Sequence, residues 1–209
     1  EIAGHPVWNL RAKTPHNALA TVPWHQDTAY LAVGSEFTFQ PTAWIPLVDA
    51  NEVNGCMQVM RPEHPLDWKQ PDVYHHKLEN TRGRKDSWYL YIDESDLPIG
   101  EIVTCTMDKG SVLFLNNLIP HRSTENDSDI IRWSIDLRWQ RPDEVSGMES
   151  IKEPILLRTA RDRDYQPNWE SWAAQSRQVG LHDVLQERGR PISKDDAHVT
   201  GPWMDRWKK

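Results

Sequence analysis

Cysteine is scarce. Cys56 and Cys105 are the only two in 209 residues, too few for a disulfide framework in a chain of this length, so a reducing, cytoplasmic setting is expected. One bridge between the two is compatible with that count. No uninterrupted apolar stretch approaches the ~20 residues that a membrane-spanning helix needs, which argues against a transmembrane protein and against a membrane partner. Positive charge is in deficit: 24 Lys plus Arg against 31 Asp plus Glu give a formal charge of −7, opposite in sign to the surfaces that bind phosphate backbones, so no nucleic-acid partner is expected. An initiating methionine is missing as well. The chain opens on Glu1, so a cut, processed or fragmentary chain is expected. Its length fits one domain.

Phenylalanine is also rare, at three residues, whereas tryptophan reaches 11 and proline 15. Large amphipathic rings and rigid turns in that proportion point to a loop-rich β protein. From Val7 to about Asp136 the segments are short, β-branched or aromatic, and punctuated by turn residues. Strands are predicted over Val7–Lys13, Pro23–Tyr30, Phe37–Val48, Gly55–Met60, Ser87–Ile92, Glu101–Met107, Ser111–Asn116 and Ile130–Trp139, with a hairpin turn at Asp108-Lys109-Gly110. The last strand alternates: Ile131, Trp133, Ile135, Leu137 and Trp139 face one way, and Arg132, Ser134, Asp136 and Arg138 the other. Either it is an edge strand with one wet face, or it lines a barrel with a polar interior. Arg61 to Asp86 form a long polar loop carrying His64, His75 and His76. Beyond Arg141 the sequence turns helical, with a capped start at Asn168 and a second helix over Leu181–Arg188. The division expected is a β core over 1–141 and a C-terminal helical extension over 142–209.

His25-Gln26-Asp27 can present an imidazole and a carboxylate on one side of an extended backbone. His121 ends the apolar run from Leu113 to Pro120, where an antiparallel neighbour could bring it beside His25. Two imidazoles and one carboxylate form the facial triad that suits non-haem iron(II) and leaves coordination positions open. Arg132, eleven residues on, has the planar fork for a carboxylate ligand, and Ser123 offers a hydroxyl donor. A cross-strand salt bridge is the competing reading of Arg132. Arg138 shares its face and suits either an anionic substrate or an ion pair with Asp136 or another acid.

Four ordered blocks carry a resemblance: Val22-Pro23-Trp24-His25-Gln26-Asp27; Trp44-Ile45-Pro46-Leu47 with Val53-Asn54-Gly55-Cys56; Lys109-Gly110-Ser111-Val112-Leu113-Phe114; and His121-Arg122-Ser123 through Arg132. On these the chain resembles the phytanoyl-CoA dioxygenase-like members of the iron(II)/2-oxoglutarate-dependent oxygenases. The resemblance implies an all-β, double-stranded β-helix (jelly-roll, cupin-like) core with iron held by His25, Asp27 and His121. It further implies that Arg132 and Ser123 bind the distal carboxylate of 2-oxoglutarate, that Trp44 lines that pocket, and that O2 is consumed as a small-molecule substrate is hydroxylated with release of succinate and CO2. Arg61-Pro62-Glu63-His64 departs from the family's Pro-Gly-Ser-His. The family's N-terminal helices are expected to be missing ahead of Glu1. Lys13 is expected to be an ordinary exposed strand lysine. Two other readings use the same residues differently: a metal-dependent cupin-type isomerase or hydrolase, which needs no carboxylate clamp at Arg132, and a non-catalytic β-sandwich binding module.

Overall fold

The computed structural model describes residues 1–67, 69–78, 89–175 and 201–207. Among them the strands are β1 (Ile2–Gly4), β2 (Asn9–Lys13), β3 (Thr42–Pro46), β4 (Met57–Pro62), β5 (Lys77–Leu78), β6 (Leu90–Tyr91), β7 (Gly100–Cys105), β8 (Leu113–Leu115), β9 (His121–Ser123), β10 (Arg132–Gln140) and β11 (Ile155–Arg158). The helices are α1 (Trp169–Ala174) and α2 (Trp203–Arg206), and no described helix is long and apolar enough to cross a membrane.

All pairings are antiparallel. A six-stranded sheet runs β11-β1-β10-β3-β8, with β2 also on β10, and a three-stranded sheet runs β7-β4-β9. Trp44 and Leu115 from the larger sheet pack with Cys56 and Met57 at the start of β4, and burying these apolar groups together holds the two sheets face to face. This is the double-stranded β-helix expected from the sequence.

The alternation along β10 resolves in favour of a polar interior. Arg132, Ser134, Asp136, Arg138 and Gln140 are all buried, while Trp133 is exposed and Ile135, Leu137 and Trp139 are half-buried. The strand is central, paired with β1 and β2 on one side and β3 on the other, so it is no edge strand. β2 obeys the same parity: Lys13 is only 3% exposed, not the exposed lysine expected, because its register opposite Arg132 turns it inward with the polar face.

Three other expectations are corrected. Pro23–Tyr30 is not a continuous strand: proline has no N–H to give a ladder, the segment keeps an isolated bridge at His25, and Asp27–Tyr30 forms a 3-10 turn. Asp108-Lys109-Gly110 does turn, with Gly110 at φ 83°, but β7 pairs with β4 and β8 with β3, so the turn crosses between sheets and closes no hairpin. After Arg141 the chain is not helical alone, since Ile155–Arg158 adds an edge strand to β1. The Asn168 cap forms as expected, its side chain accepting from Ser171 N at 2.9 Å, whereas Leu181–Arg188 lies outside the described residues.

The long polar loop is tied down by Gln26, whose side chain is fully buried. Its Nε2 donates to the carbonyls of Asp72 and Leu118, each at 2.7 Å, and its Oε1 accepts from Tyr74 N at 2.9 Å. Its backbone N–H donates to Nε2 of His76 at 3.1 Å, and His76 Nδ1–H donates to the Tyr74 carbonyl at 2.7 Å. Both ring nitrogens of His76 are thus committed to the fold, and His64 and His75 are exposed.

Burial pushes His76 down to about 4 from 6.5. The unfolded chain therefore takes up a proton below pH 6.5 that the folded chain refuses until about pH 4, so the stability this site contributes is complete above that window and drains away through it. The gap is worth roughly 3 kcal/mol at most. Denaturant titrations at pH 7 and 4.5 should show a larger loss in the wild type than in His76→Gln, which keeps an acceptor for Gln26 but does not titrate. Gly55 provides a second test. Its φ is +85°, and an added Cβ would meet the Lys13 stem and lie 2.9 Å from the Thr124 carbonyl oxygen. Gly55→Ala should cost at least about 1 to 2 kcal/mol from the left-handed backbone alone, seen as a lowered thermal midpoint.

Candidate active site

Residues 22–25 run beside β9. His25 and His121 exchange backbone hydrogen bonds of 3.0 Å in both directions, and Ser123 N donates to the Val22 carbonyl at 3.0 Å. Gln26 stays extended, at φ −107° and ψ 138°, before the 3-10 turn begins, so His25 and Asp27 emerge on the same side. The metal-ligand atoms of His25, Asp27 and His121 all lie within 4.8 Å of one another. Asp27 Oδ1 is 3.8 Å from His25 Nε2 and 3.9 Å from His121 Nε2. Those spacings are too long for hydrogen bonds and leave room for an ion between the three atoms. The outer nitrogens are already committed, His25 Nδ1 to the Pro23 carbonyl at 2.8 Å and His121 Nδ1 to the Ile119 carbonyl at 2.9 Å. Each bond places the proton on Nδ1 and turns the Nε2 lone pair inward, the tautomer a metal ligand needs.

Asp27 divides its two oxygens. Oδ1 faces the imidazoles, while Oδ2 accepts from Arg138 Nη2 at 2.6 Å and from Thr42 Oγ1 at 3.4 Å. Arg138 is itself fixed by donating from Nε to Thr42 Oγ1 at 2.8 Å. Arg138 therefore pairs with an acid, as one of its two readings held, but the acid is Asp27; Asp136 pairs with Arg11. Burial raises the Asp27 carboxyl, yet Arg138 and the two imidazoles outweigh it and hold the group well below the carboxylate range. Burial, reinforced by the neighbouring His121, pushes His25 well below its ordinary value. Both groups are thus unprotonated at neutral pH and able to donate electron pairs.

Beside the triad lies a cavity of about 220 Å³ lined by Arg132, Ser123, Trp44, Lys13, Met57 and Leu115 among others. Arg132 is 3% exposed; its Nη1 donates to Ser134 Oγ at 2.8 Å, its Nε has no partner, and its guanidinium lies 5.2 Å from the Trp44 ring centroid. No described acid forms a salt bridge with it, and burial lowers it to about 10. Ser123 Oγ accepts from Lys13 Nζ at 3.0 Å and from Val22 N at 3.1 Å, which leaves its own hydroxyl proton to donate. Lys13 Nζ also reaches Thr21 Oγ1 at 3.3 Å. Lys13, expected from the sequence to be an ordinary exposed lysine, thus lines the cavity; its odd-numbered parity with Asn9 and Arg11 in a strand opposite the polar face of β10 is the signal that points to it.

Residues 3–134 match the family model described as phytanoyl-CoA dioxygenase (PhyH). Against curated proteins the sequence has no match. Among solved structures the chain is similar to the apo form of the non-heme monooxygenase ThoJ, with 19% identity over 90% of this chain and 69% of that one and a TM-score of 0.60. A nickel complex of ThoJ is similar at 18% identity, covering 90% of this chain and 64% of that one with a TM-score of 0.54. EvdO2 from Micromonospora carbonacea var. aurantiaca complexed with 2-oxoglutarate matches at 21% identity over 82% of this chain and 57% of that one, with a TM-score of 0.49. The chain thus spans between about half and two thirds of these proteins. With most of the β core matched to that family and the His-Asp-His group assembled between its sheets, the chain belongs to the phytanoyl-CoA dioxygenase family, the non-haem iron- and 2-oxoglutarate-dependent oxygenases.

Proposed function

We propose that this protein hydroxylates a small-molecule substrate with release of succinate and CO2, that His25, Asp27 and His121 hold its iron(II), and that Arg132, Ser123 and Trp44 bind the distal carboxylate of 2-oxoglutarate. The observation that carries the reading is the register of β2 on β10, which sets Lys13 directly opposite Arg132, both 3% exposed. Like charges facing each other across a strand pair repel, and burial removes the water that would screen them. An anion in the adjoining cavity relieves both costs. Arg132 offers it a guanidinium that forms no salt bridge with a described acid, Ser123 offers its hydroxyl, and Lys13 supplies a second cation.

Iron(II) with bound 2-oxoglutarate and O2 supplies the oxidising chemistry. The residues of the chain provide position. Arg138 and Thr42 occupy Asp27 Oδ2, so that carboxylate has Oδ1 to offer as a one-oxygen ligand. Pro23 and Ile119 carbonyls fix the imidazole rings, and Trp44 forms a flat wall under Arg132. A cupin-type isomerase or hydrolase has no use for two buried cations at that place, and in a simple binding module the unbonded Nε2 atoms would have been given partners.

Two measurements test the assignment. Wild-type protein supplied with iron(II), 2-oxoglutarate and O2 should form succinate and bind one iron, whereas His121→Ala should lose both. Unchanged iron stoichiometry in His121→Ala and His25→Ala would dissociate the triad from the metal. Removing one member of a buried charge pair costs about 3 to 5 kcal/mol, so Arg132→Met should weaken 2-oxoglutarate about a hundredfold or more under anaerobic titration while leaving iron content intact. Equal affinity in the two proteins would make Arg132 a structural residue.

A further inference from the structure

The cavity beside Arg132 continues past the triad. A second lobe of about 70 Å³ shares Arg11, His25, Asp27, Tyr89 and Arg138 with it, so the two form one cleft with the three triad residues in its wall. The charges on that cleft do not balance. Among the described residues that line it, Arg11, Lys13, Arg132 and Arg138 are set against two acids, Asp27 and Asp136, and the remaining cation, Arg122, is spent on Glu94. Iron(II) and the dianion of 2-oxoglutarate cancel each other, so the excess of cations over acids outlasts the binding of both. In a space walled from water such an excess favours an anion and repels a cation.

Arg11 is the cation with donors to give. Lys13, Arg132 and Arg138 are each no more than 5% exposed, whereas the Arg11 side chain is 35% exposed. It stands opposite Ser134 in the register of β2 on β10, on the inward parity of the strand, and its Nε donates to Oδ2 of buried Asp136. That single bond holds the guanidinium in place without using its fork. Nη1 and Nη2 form no hydrogen bond with a described residue, and neither is sealed from solvent. Were neutralising Asp136 the whole task, a two-bond pair with both carboxylate oxygens would be the stronger geometry; Oδ1 of Asp136 is instead left without a partner. The Nη edge of Arg11 is thus available to the two oxygens of another carboxylate.

We infer that the substrate carries a carboxylate and that Arg11 receives it, which makes Arg11 a specificity-determining residue. The inference rests on the proposed iron and 2-oxoglutarate sites, and it deepens that reading by giving the substrate its charge. Asp136 serves as the mount that fixes the guanidinium, and the substrate acid adds charge-assisted hydrogen bonds to the Nη edge while offsetting part of the positive excess of the cleft. A neutral group of the same shape gains neither term, and a cationic one would lose its hydration among like charges.

The test uses three small probes of one shape that differ in charge: acetate, acetamide and acetamidinium. Each is titrated anaerobically into protein loaded with manganese(II) and saturating 2-oxoglutarate, so that the anion site beside Arg132 is already filled. Binding is read from relaxation of the probe's methyl protons by the manganese. Acetate should bind about tenfold or more tightly than acetamide, the worth of a charge-assisted hydrogen bond, and acetamidinium should not bind. Arg11→Gln should reduce acetate to the affinity of acetamide. Arg11→Lys, which keeps a cation beside Asp136 but loses the planar fork, should weaken acetate about threefold or more. Equal binding of acetate and acetamide to the wild type would overturn the inference, as would acetate held equally well by Arg11→Gln, the outcome expected of an anion bound to the metal alone. Because the three probes are compared in the wild type, a destabilised variant does not blunt the test. Failure of the protein to bind manganese, checked separately by its electron paramagnetic resonance, would instead overturn the metal reading and the inference with it.

Discussion

Five polar side chains of one central strand, Arg132, Ser134, Asp136, Arg138 and Gln140, point into the space between two sheets, and the rest of the site answers the electrostatic cost of putting them there. Charges removed from water must be paired or must find a ligand. Arg138 is answered by Asp27 and Thr42, and Asp136 by Arg11. Among the described residues Arg132 donates to Ser134 and lies over Trp44 but forms no salt bridge. The imbalance is local: among the described residues Arg138 and Asp27 close as a pair, whereas Arg132 forms no salt bridge with an acid.

The same strand period has a cost on the outside. When polar residues take the inner positions, the apolar ones face outward, and Leu10, Trp133 and Phe114 are exposed on the outer face of the larger sheet. Leu10 and Ile45 flank Ile135 in register, so these residues form a continuous apolar surface instead of scattered points. Apolar burial is instead concentrated between the sheets around Trp44, Met57 and Leu115, next to the cavity. The core and the site therefore share walls: Trp44 is both a core residue and the floor beneath Arg132.

Backbone geometry supplies what side-chain chemistry alone could not. Pro23 interrupts the ladder after Val22, the bridge at His25 restores it for one residue, and the 3-10 turn then lifts Asp27 toward Arg138. Gln26 points the opposite way and fastens the loop containing Tyr74 and His76. A single tripeptide thus sends an imidazole and a carboxylate to one side and an anchor to the other.

The shared side of His25 and Asp27 and the alternation of β10 were legible in the sequence, because i, i+2 spacing in extended backbone and a period of two in a strand are local properties. So were the β class, from short aromatic and β-branched runs between turns, and the Asn168 cap, from a side chain bonding its own neighbourhood. What the sequence left open, the tertiary structure decided. Which face of β10 is interior depends on what packs over it. That Arg138 meets Asp27, 111 residues away, depends on how two sheets close. Lys13 is buried because of its register with Arg132, and β11 joins β1 across some 150 residues of chain; neither is encoded by near neighbours. Local backbone preference sets where a side chain points relative to its strand, but only the packing of distant strands sets whether that direction leads to water, to an acid or to a metal.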